Sequence, residues 1–185
     1  MVGRHWFPFS TLLLSLLAFF VIVGGGCTSR AKVTVPPEFR APDQETIYIA
    51  PFTATLVPDS IAEPVFNEFV DTLNRNRTIP GVTFFAIIKD DLKDVEPAWL
   101  QKQLYITGEL WSYMEKSGCC STEMRVKSRL RIHQPGQQRP VEIEVPKEVF
   151  FEHDRSSIEE ERDRFANSLA TELSQHVIRI LNRKQ

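Results

Sequence analysis

The chain has 185 residues, of which 42% are hydrophobic and 25% are charged, and its formal net charge is −2. This composition is typical of one globular domain and excludes a disordered chain, a collagen-like repeat and a protein that crosses a membrane many times. The slightly acidic balance argues against nucleic-acid binding, which needs a net basic surface, and three cysteines cannot build a disulfide scaffold.

The chain begins with the pattern of a secretory leader. Arg4 supplies a weakly basic start, an almost purely apolar run covers residues 11–23, and three glycines precede Cys27. This order predicts a signal peptide over residues 1–26. The apolar run is short for a helix that spans about 30 Å of hydrocarbon.

Small residues followed directly by a cysteine resemble a bacterial lipobox, in which the cysteine is lipidated and becomes the new N-terminus. The resemblance implies lipidation of Cys27. Gly24 stands where the usual box has an aliphatic residue, so an ordinary signal peptide or an uncleaved anchor stays open as an alternative. Thr28, rather than Asp, follows the cysteine, and in enterobacteria this favours the outer membrane.

The next segment is rich in proline and has no apolar period. Residues 27–45 are therefore predicted to form the lipidated cysteine and a tether, which would span about 25 Å if flexible. Residues 46–185 are predicted to form a single domain. In chain order, the apolar periods predict a strand over 46–52, a helix over 62–74, a central strand over 82–88, a short helical piece near Trp99, strands over 104–115, 122–133 and 141–153, and a long helix over 157–182.

This order of elements predicts the fold class. The first two strands flank a helix and can lie parallel, whereas the last three strands are joined by short turns and can form an antiparallel meander. Ser157 and Glu160 suit a capping box at the start of the terminal helix. We therefore predict an α/β two-layer sandwich, in which a mixed β-sheet carries helices on one face and a long C-terminal helix.

The strand over 122–133 alternates strictly and carries a basic stripe on one face. The four cations of this stripe are Arg125, Lys127, Arg129 and Arg131. They can form a platform for an anionic ligand, such as lipid phosphates or an acidic protein surface. The alternative is an ordinary solvated face, in which acids of the flanking strands neutralise the stripe: Glu142 and Glu144 on one side, and Glu109 and Glu115 on the other. Tyr105, Trp111 and Tyr113 are predicted on the same outward face as Glu109.

Cys119 and Cys120 form a vicinal pair in a predicted hairpin turn. A disulfide between them is one prediction, and a bridge to another chain or a metal site are the others. Two adjacent cysteines lack the usual spacing of zinc ligands, so no metal site is assigned. No catalytic or phosphate-binding motif is present, and we predict a non-enzymatic protein without a cofactor.

Several phrases of the sequence resemble LptE-type outer-membrane lipoproteins. These are IYIAPF followed by EPVFNEFVDTL, then LYITGELWSY, and then the stretch that begins EVFFEHDRSSIEEE and runs into the terminal helix. A related architecture occurs in LpoB-type synthase activators, CsgG-type secretion lipoproteins and the N-terminal domain of TolB.

The LptE resemblance implies a lipid-anchored protein on the periplasmic face of the outer membrane. It implies an LptD-like β-barrel partner and a role in lipopolysaccharide assembly, with the basic stripe contacting lipid phosphates. The alternative is a lipoprotein cofactor or activator of another envelope machine, either a peptidoglycan synthase or a secretion system. The state of the stripe discriminates between them: free cations favour an anionic lipid, and neutralised cations favour a protein-docking module.

Overall fold

A computed structural model describes residues 30–40, 42–76 and 78–183. Within these ranges no helix is long and apolar enough to cross a membrane. The elements in chain order are β1 (Lys32–Thr34), β2 (Thr46–Ile49), β3 (Thr53–Thr55), α1 (Asp59–Arg75), β4 (Phe84–Ile87), α2 (Pro97–Leu100), β5 (Tyr105–Ser117), β6 (Ser121–His133), β7 (Val141–Glu152) and α3 (Ile158–Leu181).

All seven of these strands belong to one mixed sheet. Its order is β1-β7-β6-β5-β2-β4, and β3 pairs with β5 beside β2. β2 lies parallel to both β4 and β5, whereas β5, β6 and β7 form an antiparallel meander. The predicted two-layer α/β sandwich is confirmed, together with the parallel pair around the first helix and the meander.

The two long helices pack side by side on one face of the sheet. The hydroxyl of Ser174 on α3 donates to the backbone oxygen of Phe69 on α1 at 3.3 Å and to that of Ala170 at 2.7 Å. Alternate residues of β6 point toward the helices and are fully buried: Thr122, Met124, Val126, Ser128, Leu130 and Ile132. The core therefore lies between the meander and the α1–α3 pair.

The caps of the two helices differ. Ser157 and Glu160 form the predicted capping box at the start of α3, with reciprocal hydrogen bonds of 3.1 and 3.2 Å. α1 begins after Pro58 without a side-chain cap. Pro64 is the sixth residue of α1, so it lies inside the helix and removes the backbone hydrogen bond that would reach the carbonyl oxygen of Ser60.

The predicted domain boundary at residue 46 is wrong. β1 lies inside the predicted tether and pairs with β7, and Phe39 is buried in the core. The side chain of Gln134 donates to the backbone oxygen of Arg40 and accepts from its N–H, which binds this segment to the β6–β7 turn. The folded domain thus includes β1 and the residues that follow it.

The second apolar strand is also placed differently from the prediction. Residues 82–88 are apolar on both faces, which predicts a central strand, but β4 is the edge of the sheet. Phe84 and Ile87 are 46% and 45% exposed there. Apolar content alone could not distinguish the two positions, since the pairing of β2 with β5 decides which strand is outermost.

Gly108 on β5 is required by close packing. A Cβ atom added there would lie 2.2 Å from the ring of Phe52, which packs against Phe66 and Phe69. Gly118, near the end of the same hairpin, has no such neighbour, since its nearest contact would be 3.6 Å away.

We predict that Gly108→Ala lowers the free energy of unfolding by about 2 kcal/mol, as expected for overpacking of a filled core. Gly118→Ala is the matched control and should change it by less than about 0.5 kcal/mol, the usual effect of a surface substitution. Urea denaturation of both variants measures the difference. Equal stability of the two variants would contradict the packing of Phe52 on β5.

Candidate functional site

The candidate site is the sheet face that points away from α1 and α3, which we call the open face. It is formed by side chains of the meander that alternate with the buried ones. The strand register arranges them in rows across β7, β6 and β5. We call the end of this face at the β6–β7 turn its lower end. From the β5–β6 turn to the lower end, the rows are Phe150–Glu123–Lys116, Glu148–Arg125–Met114, Pro146–Lys127–Trp111, Glu144–Arg129–Glu109 and Glu142–Arg131–Thr107.

Arg129 is at the centre of the open face and is held from three sides. Its Nη2 and Nε atoms donate to Glu144 at 2.7 and 3.0 Å, and its Nη1 lies 3.8 Å from Glu109. Its guanidinium lies 5.0 Å from the centroid of Trp111, a cation–π contact. The hydrogen bond from Arg129 lowers the pKa of Glu144, so this carboxylate stays ionised.

The other cations of the stripe divide into paired and unpaired ones. Arg131 donates to Glu142 at 2.9 Å. Arg125 pairs with Glu148 at 3.2 Å and with Glu123 on its own strand. Among the described residues no acid forms an ion pair with Lys127, which is exposed between Pro146 and Trp111. The open face is thus largely charge-balanced, as in the alternative that the sequence left open.

A β-bulge in β5 corrects two of the predicted positions. The register shifts between Trp111 and Met114, and Ser112 adopts a φ of 60°. An extra residue in one strand reverses the faces beyond it, so Tyr113 and Glu115 turn toward the helices. Neither residue therefore belongs to the open face.

The bulge gives Glu115 a different partner. Arg162 on α3 donates to its carboxylate at 2.8 and 3.0 Å, and the hydroxyl of Tyr113 donates to it at 2.6 Å. The hydrogen bond from Arg162 lowers the pKa of Glu115, and burial raises the pKa of Tyr113. The sequence did not reveal this contact, because no glycine marks the bulge between Trp111 and Met114.

The lower end of the open face carries stacked rings. Tyr105 lies against His133 with ring centroids 4.3 Å apart and an interplanar angle of 3°. Burial, and then the charge of Arg131, lowers the pKa of His133, so its imidazole is neutral at pH 7. The Nε2 atom of His133 lies 3.3 Å from the hydroxyl of Thr107. This end is therefore aromatic and uncharged.

The vicinal cysteines lie in the turn between β5 and β6. Cys119 and Cys120 are exposed free thiols whose sulfur atoms lie 3.0 Å apart. Their oxidation to a disulfide stays a prediction. Within the described ranges no group of three His, Cys, Asp or Glu side chains can hold a metal ion. Cys27 and the predicted signal peptide lie outside the described residues.

Comparison with known proteins reveals similarity in fold. No protein-family model and no curated protein sequence matches the chain. A PelC dodecamer from Paraburkholderia phytofirmans matches with a TM-score of 0.52 and 14% identity, covering 84% of this chain and 99% of that one.

More distant structures include two bacterial lipoproteins. GNA1162 from Neisseria meningitidis matches with a TM-score of 0.39 and 10% identity, covering 75% of this chain and 99% of that one. Rare lipoprotein B from Shewanella oneidensis matches with a TM-score of 0.34 and 10% identity, covering 71% and 98%. The likeness to PelC shows that this chain has the same fold.

We predict that removal of two acids from the open face creates an anion-binding surface. The double variant Glu142→Gln, Glu144→Gln frees Arg131 and Arg129. It should bind vesicles that contain phosphatidylglycerol roughly thirtyfold more tightly, since each of the two freed cations contributes about 1 kcal/mol near such a surface. Sedimentation with the vesicles, using the chain from Arg30 onward, measures this change.

The matched control is Glu63→Gln, Asp71→Asn, which makes the same change of charge at exposed positions of α1. Its affinity for the vesicles should stay close to that of the unaltered chain. An equal gain in both variants would mean that net charge, rather than the pairing on the open face, limits anion binding.

Proposed function

We propose that this protein is a lipid-anchored envelope lipoprotein that acts without catalysis, as an assembly factor whose open face docks on another protein. The leader and Cys27 support the anchor. The observation that supports docking is the pairing of Arg125, Arg129 and Arg131 with acids of the meander.

A phosphate is a poor ligand for this arrangement. To bind Arg129 it would have to displace Glu144, or lie close to the Glu144 and Glu109 carboxylates and be repelled by them. A protein surface meets the same face differently. It can cover ion pairs that are already formed and leaves no charge unpaired, which avoids the main cost of burying charged groups.

The open face carries the side-chain types that dominate protein interfaces. Trp, Tyr and Arg are enriched among the residues that contribute most to binding. Trp111, Arg129 and Tyr105 provide all three types on the open face. Arg129 is held in place by Glu144 and Trp111, so little of its freedom remains to be lost on docking.

The specific form of the proposal is an LptD-like β-barrel partner and lipopolysaccharide assembly at the outer membrane. Its support is the resemblance of the sequence to LptE-type lipoproteins. Docking on a barrel uses the protein-binding character of the open face, whereas contact with lipid phosphates would depend chiefly on Lys127. A peptidoglycan synthase or a secretion component as partner would need the same docking surface and is the alternative.

A second candidate function is self-assembly into a larger particle. The PelC structure of the same fold is a dodecamer. In this chain β4 is a sheet edge with two exposed apolar side chains, Phe84 and Ile87. An edge of this kind is a site where a second chain can add, because its backbone groups are unpaired on one side.

We predict that a photo-crosslinking amino acid in place of Trp111 captures an outer-membrane β-barrel from native membranes. The matched control replaces Gln175, which is exposed on the helix side of the domain, and should capture nothing. Mass spectrometry of the products identifies the partner. The docking proposal fails if the product from Trp111 is absent or is matched by that from Gln175.

The same experiment distinguishes the specific forms of the proposal. Capture of a peptidoglycan synthase or a secretion component from Trp111 would keep the docking surface and replace lipopolysaccharide assembly. A third variant, with the crosslinker at Phe84, tests self-assembly. A product of two or more copies of this chain from Phe84, and not from Gln175, would favour the second candidate.

A further inference from the structure

The direction of β1 determines where the N-terminal chain leaves the domain. Lys32 pairs with Glu144 and Thr34 pairs with Glu142, so β1 runs opposite to β7. Going backward from Lys32, the chain therefore points along β7 toward Phe150 and the β5–β6 turn. The N-terminal segment leaves at the β7 edge of the sheet.

The chain between Lys32 and Cys27 is short. Five residue steps separate the two positions, and a fully extended chain covers at most about 3.6 Å per step, so their Cα atoms are within about 18 Å of each other. The thirteen-residue strand β5 is about 44 Å long at about 3.4 Å per residue. The domain is longer than the linker, so a membrane that holds Cys27 must lie close to the β7 edge.

An exposed aromatic side chain lies on that part of β7. Phe150 is 65% exposed, six positions beyond Glu144 and thus about 20 Å along the strand. Its row on the open face includes Lys116, which is exposed and forms no ion pair among the described residues. Exposure of a phenyl ring to water is unfavourable in free energy. Burial of the ring at a membrane interface is favourable, and cations beside it can contact the lipid headgroups.

We propose that the end of β7 that carries Phe150 rests in the headgroup region of the bilayer that anchors Cys27. Phe150 enters the boundary between headgroups and acyl chains, and Lys116 faces the lipid phosphates. The inference rests on the lipid anchor of the proposed function. It adds an orientation: the β7 edge lies on the membrane, and the lower rows of the open face, with Arg129 and Tyr105, remain free for a protein.

The test compares two exposed phenylalanine positions on opposite sides of the sheet, one on β7 and one on β4. The full chain carries Cys119→Ser and Cys120→Ser, together with either Phe150→Cys or Phe84→Cys labelled with an environment-sensitive fluorophore. Phe84 is the matched control, since it is an exposed phenylalanine on the far edge strand β4. The lipidated proteins are reconstituted in vesicles of phosphatidylethanolamine and phosphatidylglycerol that contain a nitroxide-labelled lipid.

We expect a blue shift and a loss of emission from position 150, and neither change at position 84. Equal quenching at both positions, quenching at position 84 alone, or a blue shift at 150 without quenching would overturn the inference. The last result would mean that a second copy covers Phe150. Mass spectrometry of the N-terminal peptide separates the two proposals: an unmodified Cys27 overturns the anchor and the inference together, whereas an acylated Cys27 without quenching overturns the inference alone.

Discussion

The register of β6 between β5 and β7 is the constraint on which the rest of the structure depends. Successive side chains of a strand point to opposite faces, so a slip by one residue would move the whole stripe of cations beneath the helices. Burial of Met124 and Leu130 against the helices excludes that slip, because four unpaired cations in the core would cost far more than the apolar contacts contribute. The same register places Arg129 opposite Glu144 and Glu109.

The balanced charge of the open face connects the fold to its proposed role. A stripe of free cations would have attracted anionic lipid over its full length, whereas paired cations leave the attraction to Lys127 and to the residues near the β5–β6 turn. If Cys27 carries the proposed lipid anchor, its short linker brings this turn and Phe150 close to the membrane. The two proposals together divide the domain into a membrane-proximal end and a protein-docking region around Arg129.

The sequence predicted the parts of the fold that depend on local periodicity. The strict alternation of β6 gave the stripe and its buried face, and Ser157 with Glu160 gave the start of α3. The errors arose where contacts distant in the sequence decide. Composition alone predicts a tether around β1, but pairing with the edge of β7 makes this segment a strand. The bulge beyond Trp111 turns Tyr113 and Glu115 toward Arg162. The acid partners of the stripe were predicted in part. The alternation of β7 predicts Glu142 and Glu144 as partners, but Glu148 could be identified only from the register of β6 and β7.

The most direct test of the charge-balanced open face is a double-mutant cycle on Arg129 and Glu144. Both are replaced singly and together by methionine and glutamine, and urea denaturation gives their coupling energy. The account predicts a coupling of about 1 kcal/mol, the upper end for partly exposed pairs, since Arg129 makes two hydrogen bonds to this carboxylate. Arg125 and Glu142, which lie in different rows, should show none. A coupling of zero for Arg129 and Glu144 would contradict the pairing. The stripe would then be a platform of free cations for an anionic ligand.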